Sequence, residues 1–513
     1  MFRTNRPVTD QGFVNRKSQL DRLAALVTRL AAGTPEWLAI IGPRKVGKTS
    51  LLLEAERRLA RDGLAFVVFD VSDSMAVSLE AFRQLLGRVL DAVLGDETGV
   101  ALSRTMARPA EFRAALLRSP KYLARPASLR SLLIELPDRK LDEAFVRDAL
   151  DLPEELAKHV GSKLVVAIDE FQELASVGTR SAGGLDPLPL MRSRWQRHEH
   201  VAYVISGSAR TTLTELVTSA RSPFFQHFAL LELDVFSVDD ALTLLRSATP
   251  EDRQIPEETA RRAIDLLGGH PFYVQLFGES LTERPPPYDE RALKEALQST
   301  LFSRTGRLSL YFQNEHQRLV GRSTGLSATL DVLADGPQRV TDVARAIGGS
   351  TGTANQYLSR LGDAVRNLDD GRYALDDRAF AAWVRWRAPG GTVVPMKALG
   401  DEAEAAVAEL LSRMGFDLVY QSRGSRGAFD LLATRGADQL GIQVKRSPLP
   451  LRFSRAEWDR MAADAKRWHW RWIVAAVTRE GEIALLDPKK AARRGEARLS
   501  DSARIDNLLA WMG

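Results

Sequence analysis

The 513-residue chain is 44% hydrophobic and 27% charged, too long for one hydrophobic core, and about three domains are expected. It has no run of about 18 uncharged apolar residues that could span a bilayer, and its complete lack of cysteine excludes disulfides, thiolate zinc sites and thiol nucleophiles. The formal charge of +5 sits mostly at the end of the chain: from Lys397 to Gly513 there are 20 Lys and Arg against 16 Asp and Glu, a balance that suits a nucleic-acid partner and equally a solvated basic surface.

Taken in chain order, Met1 to Gly12 is polar, carries Arg3 and Arg6 and has no apolar stretch of the secretory kind, so the cytoplasm is the expected compartment. From Trp37 to Phe236 short apolar runs alternate with helical stretches, the pattern of an α/β domain built on a parallel sheet. Five strands are expected: Trp37 to Ile41, Ala65 to Val71, Leu164 to Ile168, Ala202 to Ser206 and Phe228 to Val235. A Leu-, Ala- and Arg-rich segment, Asp73 to Val160, reads as a helical insertion between the second and third strands.

The first strand runs into Gly42-Pro43-Arg44-Lys45-Val46-Gly47-Lys48-Thr49, which matches G-x-x-x-x-G-K-[ST] throughout. Glycines at these places let backbone N–H groups turn toward a β-phosphate, and a helix beginning at Lys48 adds its positive end. Lys48 would bridge the β- and γ-phosphates, Thr49 would ligate Mg²⁺, and Ser50 continues the binding segment. The third strand ends in Asp169-Glu170. Asp169 is assigned to Mg²⁺ through water and Glu170 to polarising the attacking water as general base. Ser206-Gly207-Ser208 closes the next strand, with Ser208, or Ser206 as second choice, as a polar sensor of the γ-phosphate.

Phe13-Val14-Asn15-Arg16, the P-loop, Ile168 to Gln172, Ser206 to Ser208 and Gly268-Gly269-His270-Pro271 together resemble the archaeal-type ATPases on the AAA+/STAND side of the P-loop proteins, over roughly Phe13 to Leu301. The resemblance implies an ASCE-type sheet with an additional strand, adenine packing near Arg16, and a helical lid that carries His270 to the nucleotide. It also implies a homo-oligomer as one form of the protein, with an arginine finger between subunits. Here His227 stands where family members carry that arginine, which leaves the finger open, with Arg221 as a substitute.

Further along, Leu326 to Val384 reads helix, turn, helix, turn, helix and hairpin, a winged helix-turn-helix whose third helix offers Asn355, Gln356 and Arg360. Ala388-Pro389-Gly390-Gly391 is a linker. The expected domains are therefore an ATPase core at 1–236, a lid at 237–322, the winged helix at 323–387, a linker at 388–398 and a last α/β domain at 399–513.

In that last domain, Phe429-Asp430 and Gly441-Ile442-Gln443-Val444-Lys445 fit two paired strands, with Asp430 and Gln443 meeting across the hairpin and Lys445 on the face of Gln443. A preceding helix holds Glu404 at the border of its apolar stripe. Glu404, Asp430, Gln443 and Lys445 in this order resemble the PD-(D/E)XK nuclease fold, in its Holliday-junction-resolvase-like and restriction-endonuclease-like branches, over about Leu399 to Pro488. The resemblance implies Mg²⁺, or Mn²⁺, on Glu404, Asp430 and Gln443, and a Lys445 that activates water or stabilises phosphate charge. Gln443 departs from the usual carboxylate. Arg423 and Arg426 suit phosphate contact, and Trp458, Trp468, Trp470 and Trp472 are either core or a platform for unpaired bases.

The expected function is ATP hydrolysis coupled to metal-dependent cleavage of nucleic acid, DNA favoured, without a membrane partner. Its rival is an ATP-gated binding switch or regulator with an inactive nuclease fold.

Overall fold

The computed structural model describes residues 2–73, 79–95, 99–175, 186–249, 255–303, 305–387, 402–416, 418–421, 429–435, 438–468, 470–478, 480–494 and 496–512. The chain divides into two compact units, Arg3–Val235 and Met1–Phe2 with Phe236–Gly513.

The first unit is a five-stranded parallel sheet in the order β2-β3-β4-β1-β5, with β1 Trp37–Ile41, β2 Leu64–Asp70, β3 Lys163–Asp169, β4 Val201–Gly207 and β5 Phe228–Glu232. β1 and β4 are buried along their whole length, as near-continuous Val, Ile and Leu runs require when helices cover both faces. One face packs on Leu23, Leu26, Leu30, Leu51 and Leu52 of helices α1 (Lys17–Ala31) and α2 (Lys48–Leu59). The other packs on the insertion, whose described part is a set of helices from Glu80–Leu94 to Glu143–Val160, through Phe82, Leu86, Phe145 and Leu156. The insertion thus completes the core of the sheet.

Two strands end earlier than the sequence suggests, β2 at Asp70, where Val71 opens a 3₁₀ turn, and β5. Leu233, Asp234 and Val235 read as part of β5, but the strand stops at Glu232. Leu233 still donates its N–H to the Ile41 carbonyl at 2.8 Å, and the Asp234 carbonyl turns instead to Arg16.

In the second unit, helices Val238–Ala248, Glu257–Leu267, Pro271–Thr282 and Glu290–Leu301 come first. Three further helices, Thr324–Ala334, Val340–Ala346 and Thr351–Leu361, precede the antiparallel hairpin β6 (Val365–Asn367) and β7 (Tyr373–Leu375), followed by helix Arg378–Arg387. The C-terminal part is a mixed sheet in the order β13-β12-β10-β9-β8, formed by β8 Leu418–Gln421, β9 Leu431–Arg435, β10 Asp438–Lys445, β12 Arg471–Val477 and β13 Ile483–Leu486. β10 and β12 are parallel and the other pairs antiparallel. β11 (Leu451–Phe453), β14 (Ala492–Arg494) and β15 (Glu496–Leu499) make a small second sheet. The linker at 388–391 and Arg423 and Arg426 lie outside the described residues.

Candidate functional site

Register brings the first site together. Ile40 and Ile41 of β1 lie beside Ser206 and Gly207 of β4, and Ile168 of β3 lies beside Ile205. The loops after β1, β3 and β4 therefore open at the same carboxyl edge of the sheet, where open α/β sheets bind ligands. Gly42 ends β1 so close to the chain beyond β5 that a Cβ there would stand 2.3 Å from the Leu233 carbonyl oxygen. Gly47 caps α2 at φ 108°, a conformation that favours glycine.

Within this loop Lys48 is 5% exposed and its ammonium donates to the carbonyls of Gly42 at 2.9 Å and Pro43 at 2.8 Å. Burial lowers its pKa, against the pull of Glu170 and Asp169; Arg210 and Arg44 act in the direction of burial. Val46 is core, and Lys45 adopts a left-handed φ of 60°. The Ser50 hydroxyl accepts the Val8 N–H at 2.9 Å, tying the N-terminal segment to α2. Arg16, also left-handed at φ 63°, donates to the carbonyls of Asp234 at 2.7 Å and Val46 at 3.3 Å, so it lies against the P-loop.

Asp169 is 1% exposed. It accepts the Thr49 hydroxyl at 2.5 Å and the Ser206 hydroxyl; burial raises its pKa while these two bonds oppose the rise. Thr49 and Asp169 are thus adjacent oxygen groups at the end of the phosphate loop, a donor set that fits Mg²⁺. Glu170 follows at φ 52°, a left-handed conformation that costs energy outside glycine and clusters at functional sites. Its carboxylate accepts the Ser208 hydroxyl at 2.9 Å, the Ser208 N–H at 3.2 Å and the Gln172 amide at 2.5 Å. The two serines divide the acids between them, Ser206 on Asp169 and Ser208 on Glu170.

Sequence reasoning missed Gln172, whose side chain lies so close that a Cβ on Gly207 would stand 2.0 Å from its Oε1. It missed Arg210 and Arg192 as well. The Arg192 Nε donates to His227 Nε2 at 3.3 Å, while the His227 ring lies 5.4 Å from that of Trp37. Burial and Arg192 both lower the His227 pKa, which favours its neutral form. His270 is in the second unit, at the N-terminus of helix Pro271–Thr282, stacked on Tyr273 at 3.9 Å; the Tyr273 hydroxyl donates to Asp377 at 2.6 Å.

Of the residues singled out in the last domain, Gln443 and Lys445 lie on β10 of the C-terminal sheet and Asp430 directly precedes β9. The Asp430 N–H donates to the Ile442 carbonyl at 2.9 Å, which extends the β9–β10 ladder and sets Asp430 opposite Gln443. The Gln443 amide donates to the Asp430 carboxylate, as does the Val444 N–H at 2.7 Å. Lys445, two residues on, has its ammonium 3.4 Å from Glu457 Oε1 and 5.3 Å from the centre of the Phe453 ring. Glu404 is partly exposed on helix Glu402–Arg413, whose Ala403, Val407 and Leu411 pack with Leu431 and Ile442 beneath these strands. Among the described residues no three His, Cys, Asp or Glu side chains form a metal-binding group, so any cation here would depend on the carbonyl oxygen of Gln443 as well as on carboxylates.

Glu457 was not singled out, although Ser454-x-x-Glu457 has the spacing of a capping box. Ser454 Oγ accepts the Glu457 N–H at 3.2 Å, and Glu457 accepts the Ser454 N–H at 3.0 Å, starting helix Arg455–Trp468. Trp458 is core, 2% exposed and edge-on to Trp472 at 5.1 Å; of the two roles open to the tryptophans it takes the structural one. On helix Thr351–Leu361, Asn355, Gln356 and Arg360 are exposed.

Residues 12–191 match the AAA ATPase domain family, and residues 130–289 match a family described as novel STAND NTPase 2. No curated protein matches the chain. Among solved structures, the Walker-type ATPase of Pyrococcus abyssi is 19% identical with a TM-score of 0.53, over 74% of this chain and 99% of that one. The ORC2 protein of Aeropyrum pernix is 13% identical with a TM-score of 0.47, over 75% of this chain and 95% of that one. A Holliday junction resolvase of Archaeoglobus fulgidus is 22% identical with a TM-score of 0.18, over 20% of this chain and 84% of that one. The family matches and the parallel sheet agree on a P-loop ATPase domain of the AAA/STAND type, and the site is one for ATP. No helix among the described residues is long and apolar enough to cross a membrane.

Proposed function

We propose that this chain, which carries an AAA/STAND-type P-loop ATPase domain, couples ATP hydrolysis to metal-dependent cleavage of nucleic acid, DNA before RNA. At the first site Lys48 exchanges its two carbonyl partners for phosphate oxygens, Thr49 and Asp169 would hold Mg²⁺, and Glu170 orients water as general base. Ser208 and Gln172 fix the Glu170 carboxylate, so the base is positioned before nucleotide arrives. Bound Mg²⁺ neutralises charge on the phosphates.

The observation that carries the nucleic-acid half is the register that sets Asp430 against Gln443 with Lys445 two residues on, in a chain with an ATPase site. Glu404, Asp430 and the Gln443 carbonyl would hold Mg²⁺ or Mn²⁺, which polarises the scissile phosphate. Lys445 orients water or stabilises charge on the phosphate, and leaves Glu457 to do so. The three helices and hairpin between residues 324 and 375 support a winged helix whose exposed Asn355, Gln356 and Arg360 contact DNA or a neighbouring domain.

One observation favours a second reading, an ATP-gated binding switch. Gln443 is neutral and turns its amide donor toward Asp430, which weakens a metal site relative to two carboxylates. Lys445→Ala separates the readings. With Mg²⁺ or Mn²⁺ and ATP, native protein is expected to cut DNA and the variant to lose cleavage while retaining DNA binding and ATP turnover. Binding without cleavage by native protein on duplex, single-stranded and branched substrates would establish the switch instead.

A further inference from the structure

The small sheet β11-β15-β14 has one covered face and one open face. Leu451 and Phe453 of β11 and Ala497 and Leu499 of β15 are buried, in a cluster with Trp458. Strand alternation places Arg452, Glu496 and Arg498 on the other face, and all three are exposed. Register sets Arg452 directly opposite Arg498, with side chains about 5 Å apart at Cβ. Like charges in that relation destabilise an antiparallel pair, and among the described residues neither guanidinium meets a carboxylate or other acceptor.

The positive charge continues beyond this pair. Ala492 pairs with Arg498 on the other side, and exposed Lys490 precedes Ala492 by two residues, a span of at most about 7 Å. Lys489 is exposed beside it, while Asp487 is 7% exposed and turned inward to accept the Lys489 N–H at 2.8 Å. From Asp487 to Arg498 the sequence has five Lys or Arg and two acids. β11 is an edge strand, and Lys445 lies over the ring of Phe453, the neighbour of Arg452. Phe453 is buried on the face opposite Arg452, so Lys445 and the arginine pair lie on either side of edge strand β11.

We propose that the open face of β11-β15-β14, centred on Arg452 and Arg498 with Lys489 and Lys490 at its border, is a docking platform for the phosphate backbone of duplex DNA. A duplex held there reaches Lys445 around the edge of β11. This rests on the nucleic-acid reading above and adds the surface that carries affinity. Two guanidiniums set directly opposite each other, neither paired with the exposed Glu496 that shares their face, are stabilised by a polyanion, and counterion release makes such binding steeply salt-dependent.

The test is fluorescence anisotropy of a labelled duplex with the full chain in EDTA, over a salt series. Arg452→Ala/Arg498→Ala is expected to weaken binding about tenfold and to lower the slope of log K against log salt by about 1.8; Arg452→Lys/Arg498→Lys is expected to keep the slope. Arg452→Glu alone is expected to weaken binding while melting no lower than native protein, because it turns a like-charged pair into an opposite one. ATP turnover without DNA stays unchanged in all three. Native affinity and slope in the double alanine variant would overturn the platform and leave the nucleic-acid reading intact. Absence of duplex binding by native protein would overturn both.

Discussion

The two sites differ most in how far their acids are settled before any ligand arrives. Asp169 ends, and Glu170 follows, a strand flanked on both sides by parallel neighbours, and each has its own serine, Ser206 and Ser208. The Asp430 carboxylate accepts from a neutral amide and from a backbone N–H, among its partners, and Lys445 is held by a carboxylate that also caps a helix. Burial in a parallel sheet settles the first cluster, whereas the second is half-exposed and, under the proposed function, has to exchange partners before it acts.

The largest predicted effect breaks the first site. Lys48→Ala should abolish ATP turnover and weaken nucleotide binding. Glu170→Gln should lower kcat by about 10²- to 10⁴-fold with nucleotide binding retained, read by phosphate release and a nucleotide-binding assay. Parallel loss of binding in Glu170→Gln would place that residue in ligand retention rather than in water activation.

A smaller effect sharpens the second site. Gln443→Glu sets two carboxylates against each other across β9 and β10. It should lower the melting temperature in EDTA and recover it in Mn²⁺, with the metal concentration for half-maximal cleavage falling about tenfold. No change in metal dependence would remove Gln443 from the metal set.

The smallest concerns stability of the first unit. His198 is 7% exposed with Nδ1 2.8 Å from the Tyr203 hydroxyl, and burial pushes its pKa down to about 4 against the opposing pull of Glu154. An unfolded histidine takes up its proton near pH 6.5. The unfolded chain therefore binds more protons between pH 6.5 and 4, and stability present above 6.5 is lost as pH falls through that window, by about 3 kcal/mol. His198→Gln should flatten this slope in melting curves taken across the window; an unchanged slope would assign it to other groups.

Much of the first site was legible because its residues are contiguous. The P-loop, Asp169-Glu170 and the strands before them are local patterns, and buried parallel strands read as apolar runs. Partners brought by other elements were not legible, Arg192 on His227 and Glu457 on Lys445; Gln172 is contiguous with Glu170, but its side-chain direction was not legible. The sequence likewise set Ser206 and Ser208 as alternatives for one role, since only the register of β4 against β3 shows that each holds a different acid. The end of β5 was misread because Leu233 and Val235 are as apolar as the strand they follow. Helical spacing marked the insertion, but not that it covers one face of the sheet.

Under the proposed function one chain joins ATP turnover to nucleic acid. Phosphate release by purified full-length protein with Mg·ATP, with and without duplex DNA, tests it most directly. Measurable turnover that DNA accelerates, with the acceleration lost in Arg452→Ala/Arg498→Ala, is the predicted result. Turnover at one rate with duplex DNA, single-stranded DNA, RNA or no polymer would contradict it.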